Sequence, residues 1–175
     1  MEEIRIYCEN DRRYHTFPMG TDLKTISDSI YPSASLAALV NNQLKELSFK
    51  IMTTNTVRFI DYDHPDGRRT YIRSLCFVLQ NVIREMYPEK VLVIDYSLPS
   101  GLYCEIREKE EMYDGRPKVY FVTDEELERI QARMKEIIDA DLPFEKTKQT
   151  LEDTVKLFEA NGQKEKVNLA RSLGR

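Results

Sequence analysis

The strongest pattern in this sequence lies in residues 67–88, where Ile72, Leu75, Cys76, Leu79, Val82, Ile83 and Met86 recur at helical spacing. That stripe predicts a helix of about five turns around which a domain packs. Arg69, Arg73, Gln80 and Arg84 fall along one flank of it, with Phe77 just beyond them. Ahead of this stretch the period changes. Residues 4–8 alternate as a strand, Glu9, Asn10 and Asp11 supply a turn, and residues 13–17 return as a second strand. Pro18, Met19 and Gly20 end that hairpin. Thr21 is expected to cap a helix that turns Leu23, Ile26 and Ile30 inward and closes at Tyr31 and Pro32. Short strands at 37–40 and 43–44 flank Asn41 and Asn42, which tolerate the positive φ of a tight turn, and residues 56–61 form a further strand.

Beyond the long helix, residues 91–95 predict a buried strand, 97–101 a turn, 102–107 another strand and 119–122 a further one. The charge run at 108–111 is expected to be a solvated loop, and Asp114 with Gly115 turns the chain. Thr123 and Glu126 have the spacing of a capping box, opening a helix with Leu127, Ile130, Met134, Ile137 and Ile138 inward. Asp141, Leu142 and Pro143 stop it. Residues 144–148 are expected to be a strand. Thr150 with Asp153 starts a helix that runs through Phe158 to Asn161 and Gly162, and a last short helix covers 164–173.

A chain of 175 residues with 41% apolar and 32% charged positions can bury a real core under a well-charged surface. Net charge is −4, and no third of the chain carries a basic excess. Binding to nucleic acid would therefore rest on a local patch. Cys8, Cys76 and Cys104 are odd in number and widely spaced, which fits reduced thiols in the cytoplasm. No apolar run is long enough to span a membrane, and the N-terminus has no secretory pattern. Asp61, Asp63 and His64 could seed a metal site, but the turn at Pro65, Asp66 and Gly67 favours a polar linker, and no metal site is expected. The six glycines are too scattered to form a phosphate-binding loop.

The stretch FPMGTDLKTISDSIYPSASLAALVNNQLKELSFKI resembles the TGS module, a β-grasp unit shared by threonyl-tRNA synthetases, some GTPases and stringent-response synthetases. Phe17, Pro18, Gly20, Thr21, Ala38, Val40, Asn41, Leu44 and Leu47 stand at that family's signposts. The resemblance implies a fold and a ligand- or RNA-contacting role, with no catalytic one.

The long helix resembles the opening helix of the second N-terminal domain of threonyl-tRNA synthetases, which is related to the alanyl-tRNA synthetase editing domain. In that family the helix begins H-S-x-x-H, and the two histidines line the editing pocket or hold zinc. Here the matching stretch reads Arg73, Ser74, Leu75, Cys76, Phe77. A guanidinium has no lone pair for a metal, and a phenyl ring neither ligates nor moves protons. Residues 101–105 match the family's strand pair, and the region around Leu142, Pro143 and Phe144 matches its later step. Together the resemblances imply an α+β chain. Residues 1–62 would be a TGS β-grasp domain, and residues 63–175 a threonyl/alanyl-tRNA synthetase editing-like α/β domain built around the long helix.

No catalytic residue is assigned. A TGS module joined to such a domain without its histidines resembles the N-terminal region of bacterial uridine-kinase-like proteins. That context implies a non-catalytic regulatory or ligand-binding region, needing no cofactor of its own. A catalytic domain farther along the same chain would then bind ATP and Mg. The alternative is an RNA-binding module of a threonyl-tRNA synthetase-like protein. Arg68, Arg69, Arg73 and Arg84 would contact phosphates beside Tyr71 and Phe77 as stacking surfaces. The expected partners are thus RNA or a nucleotide.

Overall fold

The computed structural model describes residues 2–31, 34–99, 101–113, 115–161 and 163–173. Proximity along the backbone divides the chain into two compact units, Met1–Ile137 and Ile138–Arg175. The described residues form five helices and two sheets, an α+β arrangement.

In the first unit, β1 (Glu3–Cys8) and β2 (Arg13–Pro18) form an antiparallel hairpin with Tyr7 opposite Tyr14. Helix α1 (Leu23–Ile30) follows, then β3 (Ala37–Val40), β4 (Gln43–Lys45) and β5 (Thr56–Ile60). The sheet order is β2-β1-β5-β3-β4, and the central β1–β5 pair is parallel. Alternation along β1 sends Ile4, Ile6 and Cys8 inward, where they meet Leu23 and Ile26 of α1 together with Val57 and Phe59 of β5. Burying these side chains is worth about 1.5–3 kcal/mol each for the larger ones, enough to hold a short helix that could not stand alone.

The helix cap differs from the expectation at Thr21. The Thr21 hydroxyl donates to the Pro18 carbonyl at 2.6 Å, so Asp22 becomes the cap and accepts from the Thr25 amide at 2.8 Å. The asparagine turn is as expected: Asn41 and Asn42 have φ of 48° and 65°, and β3 and β4 pair across them.

A second core forms farther along the same unit. Helix α2 (Pro65–Met86) packs Val78, Val82 and Ile83 against Leu92 of β6 (Lys90–Leu98), Ile106 of β7 (Gly101–Tyr113) and Ile130 of α3 (Asp124–Asp139). Strand β8 (Arg116–Tyr120) completes the antiparallel order β6-β7-β8. Three expectations are corrected in this core. Val78 lies in the core although it was outside the predicted stripe, whereas Ile72, Leu75 and Cys76 are only half-buried. The sheet covers the C-terminal half of α2 more fully, and that sets which residues become core. Leu127 and Ile138 of α3 are exposed. Residues 108–111 continue β7 instead of looping: Glu108 pairs with Lys90 across the ladder at 3.0 Å, the Lys109 amide donates to the Glu89 carbonyl at 3.1 Å, and pairing with β8 resumes at Met112 after an irregularity. A bulge at Asp95 and Tyr96 sets both residues opposite Tyr103.

The second unit holds α4 (Leu151–Ala160) and α5 (Lys164–Leu173). Thr150 caps α4 by accepting from the Asp153 amide at 3.2 Å, and Arg171 of α5 pairs with Glu159 of α4 at 2.7 Å. Residues 144–148 form no strand, a further correction; no described strand lies alongside to take up their backbone groups. Among the described residues no helix is long and apolar enough to cross a membrane.

Candidate functional site

Helix α2 is anchored at its N-terminus before any functional side chain appears. His64 is the N-cap, its Nδ1 accepting from the Asp66 amide at 3.1 Å, and Pro65 occupies the first helical position. From that start Arg69, Arg73, Phe77, Gln80 and Arg84 follow one another up the outer side, within about a quarter of the helix circumference and over about 22 Å. Opposite them lie Val78 and Val82, with Ile83 at the flank, all three in the core. The ridge is outward because the other face is committed to the core.

The ridge carries uneven charge. Arg69 pairs with Asp66 at 3.3 Å. Arg84 donates to the side-chain carbonyl of Asn81 at 3.0 Å, which leaves its charge unneutralised. The adjacent Glu85 is taken by Arg133 at 3.0 Å. Arg73 has no ion-pair partner among the described residues. Phe77 is 61% exposed between them. Arg68 stands apart: its guanidinium lies over Tyr62 at 5.4 Å, and Tyr62 meets Tyr71 edge-to-face at 5.2 Å. The structure thus brings together Arg69, Arg73, Phe77 and Arg84, and sets Arg68 with Tyr71 in a separate aromatic cluster.

The remaining candidate polar groups are engaged in structure. The Ser74 hydroxyl donates to the Thr70 carbonyl at 3.0 Å. His15 is bonded to Asp11 at 2.7 Å, and His64 holds the helix cap. Burial, with the neighbouring Cys76, pushes the Cys104 thiol above its ordinary range, away from the reactive thiolate. Among the described residues no group of three or more His, Cys, Asp or Glu side chains is placed to hold a metal ion.

Two features escaped the sequence reading. A cleft of about 410 Å³ has Asn10, Arg58, Asp61, Asp63 and His64 in its lining, and the Asn10 side chain bridges the Phe59 amide and carbonyl beside it at 2.8 and 2.9 Å. Nothing local in the sequence announces a bond across 49 positions. The second is the open face of the first sheet. Alternation that buries Ile4, Ile6 and Cys8 turns Arg5 and Tyr7 outward, and the hairpin register sets Tyr14 beside them. The Tyr7 and Tyr14 rings are 5.1 Å apart, and the Arg5 guanidinium lies 4.1 Å over Tyr14. The period-two signal was legible; its outward half went unread.

Comparison with known proteins adds three relatives, each bearing the name threonine--tRNA ligase. The protein of Carboxydothermus hydrogenoformans is 28% identical over 150 residues, 86% of this chain and 22% of its own length. That of Acetivibrio thermocellus is 28% identical over 157 residues, 88% of this chain and 23% of its own. That of Acidithiobacillus ferrooxidans is 26% identical over 175 residues, all of this chain and 26% of its own. No protein-family model matches the chain. The chain therefore resembles threonine--tRNA ligases over most of its length while spanning about a quarter of theirs.

Proposed function

We propose that this chain is a non-catalytic, RNA-contacting region of a threonyl-tRNA synthetase-like protein. Residues 1–62 are read as a TGS β-grasp module and residues 63–175 as an editing-like α/β region. Support for the first comes from the mixed order β2-β1-β5-β3-β4 with one helix across it. Support for the second comes from α2 packed on the sheet β6-β7-β8, with the family's strand-pair residues in β7. The relatives favour this reading over a uridine-kinase parent, since those described here are all named as tRNA ligases. A parent with a kinase domain, ATP and Mg remains a proposal for the reading frame after residue 175 to test.

The observation that carries the reading is the ridge itself. Arg73 and Phe77 occupy the two positions where the family motif has histidines, and both project outward with Arg84 from one helix face. In place of proton-handling groups there is a cation, an exposed ring and a second cation. Such a set can contact phosphates and a base, but it has no base or metal ligand with which to hydrolyse an ester. Filter binding of bulk tRNA at moderate salt tests this. The chain should retain tRNA, and the double variant Arg73→Ala/Arg84→Ala should bind several-fold more weakly with an unchanged melting temperature. Equal retention by both proteins would remove the ridge as the contact.

A further inference from the structure

We infer that the open face of the first sheet is a docking strip for single-stranded RNA, separate from the α2 ridge and resting on the RNA-contacting reading above. Its parts are Tyr7 and Tyr14 at the centre, Arg5 on one side and Arg58 on the other. Tyr7 and Tyr14 are directly opposed in the hairpin, and their rings lie 5.1 Å apart at 54°. Tyr14 is 58% exposed, so ring area is offered to solvent on a rigid antiparallel pair. Tyr7 sits on a strand whose other face is locked into the core by Ile4, Ile6 and Cys8, and Tyr14 on one whose other face packs Phe17 against that core, which fixes where the rings stand.

The cations complete the strip. Arg5 lies 4.1 Å over the Tyr14 ring. A guanidinium held over a ring by cation–π attraction still has N–H groups to offer an oxygen acceptor. Neither Arg5 nor Arg58 has a carboxylate within ion-pair distance among the described residues. Arg58 is on β5, whose residue Thr56 pairs with Tyr7, so Arg5 and Arg58 flank the two rings at opposite ends. Cation, two rings, cation is the order that a short run of nucleotides presents in complement: phosphate, bases, phosphate. Thr16 and Thr56 fill the positions beside the rings, and Leu39 and Leu44 continue the same face beyond Arg58. The unpaired guanidinium groups favour a phosphodiester partner.

The test uses the whole 175-residue chain and a fluorescent uridine-rich RNA 12-mer with no secondary structure, followed by anisotropy across a salt series. The unmodified chain should bind it. Tyr7→Ala/Tyr14→Ala should weaken binding about tenfold, whereas Tyr7→Phe/Tyr14→Phe should change it little, because a phenyl ring stacks as well. Arg5→Ala/Arg58→Ala should lower the slope of log K against log salt by about 1.4, the share of two single-strand phosphate contacts. Ultraviolet cross-linking followed by mass spectrometry should place the adduct within residues 3–18. Oligomer binding that ignored all three variants, or an adduct elsewhere, would overturn the strip. If such binding fell only with Arg73→Ala/Arg84→Ala, the ridge reading would stand without it. Absence of any binding to either tRNA or the 12-mer would sink both.

Discussion

The carbonyl oxygen of Asp61 occupies the place where a Cβ on Gly67 would stand. Gly67 lies in the first turn of α2 and is buried. Elsewhere in a helix, replacing glycine by alanine stabilises by up to about 1 kcal/mol through propensity. Here the added methyl meets backbone, which cannot swing aside as a long side chain would. Gly67→Ala should therefore destabilise by about 1–3 kcal/mol, with either the helix start or the Asp61 peptide displaced. Urea unfolding followed by circular dichroism measures it. A midpoint that rose, as propensity alone dictates, would show that the close approach is soft.

Glu126 offers a pH-dependent case. Its carboxylate accepts from the Thr123 amide at 3.0 Å and from the Tyr120 hydroxyl at 2.6 Å, and Tyr87 adds a third donor at 3.3 Å. The Thr123 amide first, and then the Tyr120 hydroxyl, hold its pKa down to about 2. A depressed folded-state pKa means that the charged form is the one the fold favours. The contribution is complete above the ordinary glutamate range and is lost as pH falls from there towards about 2. Melting temperature between pH 5 and pH 2.5 should fall less steeply in Glu126→Gln than in the unmodified chain. Parallel curves would remove Glu126 as the source. The two tyrosines shift the other way. The bond to Glu126 raises Tyr120, and burial followed by the Glu126 charge raises Tyr87, so the alkaline limb should also weaken as pH rises through the ordinary tyrosine range.

These two sites show what the chain announced and what it hid. Thr123 and Glu126 were readable as a capping box because both partners lie within one helical turn, and the structure has both bonds. Asn41 and Asn42 were readable for the same reason, since few other side chains accept positive φ. Gly67 was read only as a turn residue, because its constraint comes from a backbone atom of the preceding loop. The ridge of Arg69, Arg73, Phe77 and Arg84 followed from helical period alone, whereas the separation of Arg68 followed from Tyr62, a neighbour the period does not show. Residues 108–111 were misjudged from their charge, because what extends the strand there is pairing with the distant Glu89 and Lys90, through the backbone and through the Glu108–Lys90 ion pair.

The asparagine turn gives a third expected outcome. Asn42 has φ of 65°, while Asn41 at 48° also uses its side chain, accepting from the Thr56 amide at 3.0 Å and donating to Asn55 at 2.6 Å. Asn42→Gly should be close to neutral, because glycine enters the left-handed region freely. Asn42→Val should cost about 1–2 kcal/mol from backbone strain alone. Asn41→Gly keeps the backbone but loses the bond to Thr56, so it should cost about 1 kcal/mol where Asn42→Gly does not. Chemical denaturation of the three variants resolves the two effects. Equal losses at both glycine variants would contradict this division of labour.

The charges on the ridge can be counted by salt rather than by affinity. Each phosphate neutralised by a cation releases counterions, so a lost contact lowers the slope of log K against log salt by roughly 0.7 on single strands to 0.9 on a B-form duplex. Arg73 and Arg84 are not neutralised by a described carboxylate, while Arg69 is held by Asp66 at 3.3 Å. Arg73→Gln and Arg84→Gln should therefore each reduce the tRNA slope by about one, and Arg69→Gln by clearly less. Phe77→Ala should leave the slope alone and weaken binding uniformly, because stacking releases no ions. Asp66→Asn frees Arg69, and the slope should then rise towards that of a three-cation ridge. A slope that responded equally to all three arginines would mean that Asp66 lets go when RNA arrives, and the pair seen here would then be a resting arrangement of the free protein.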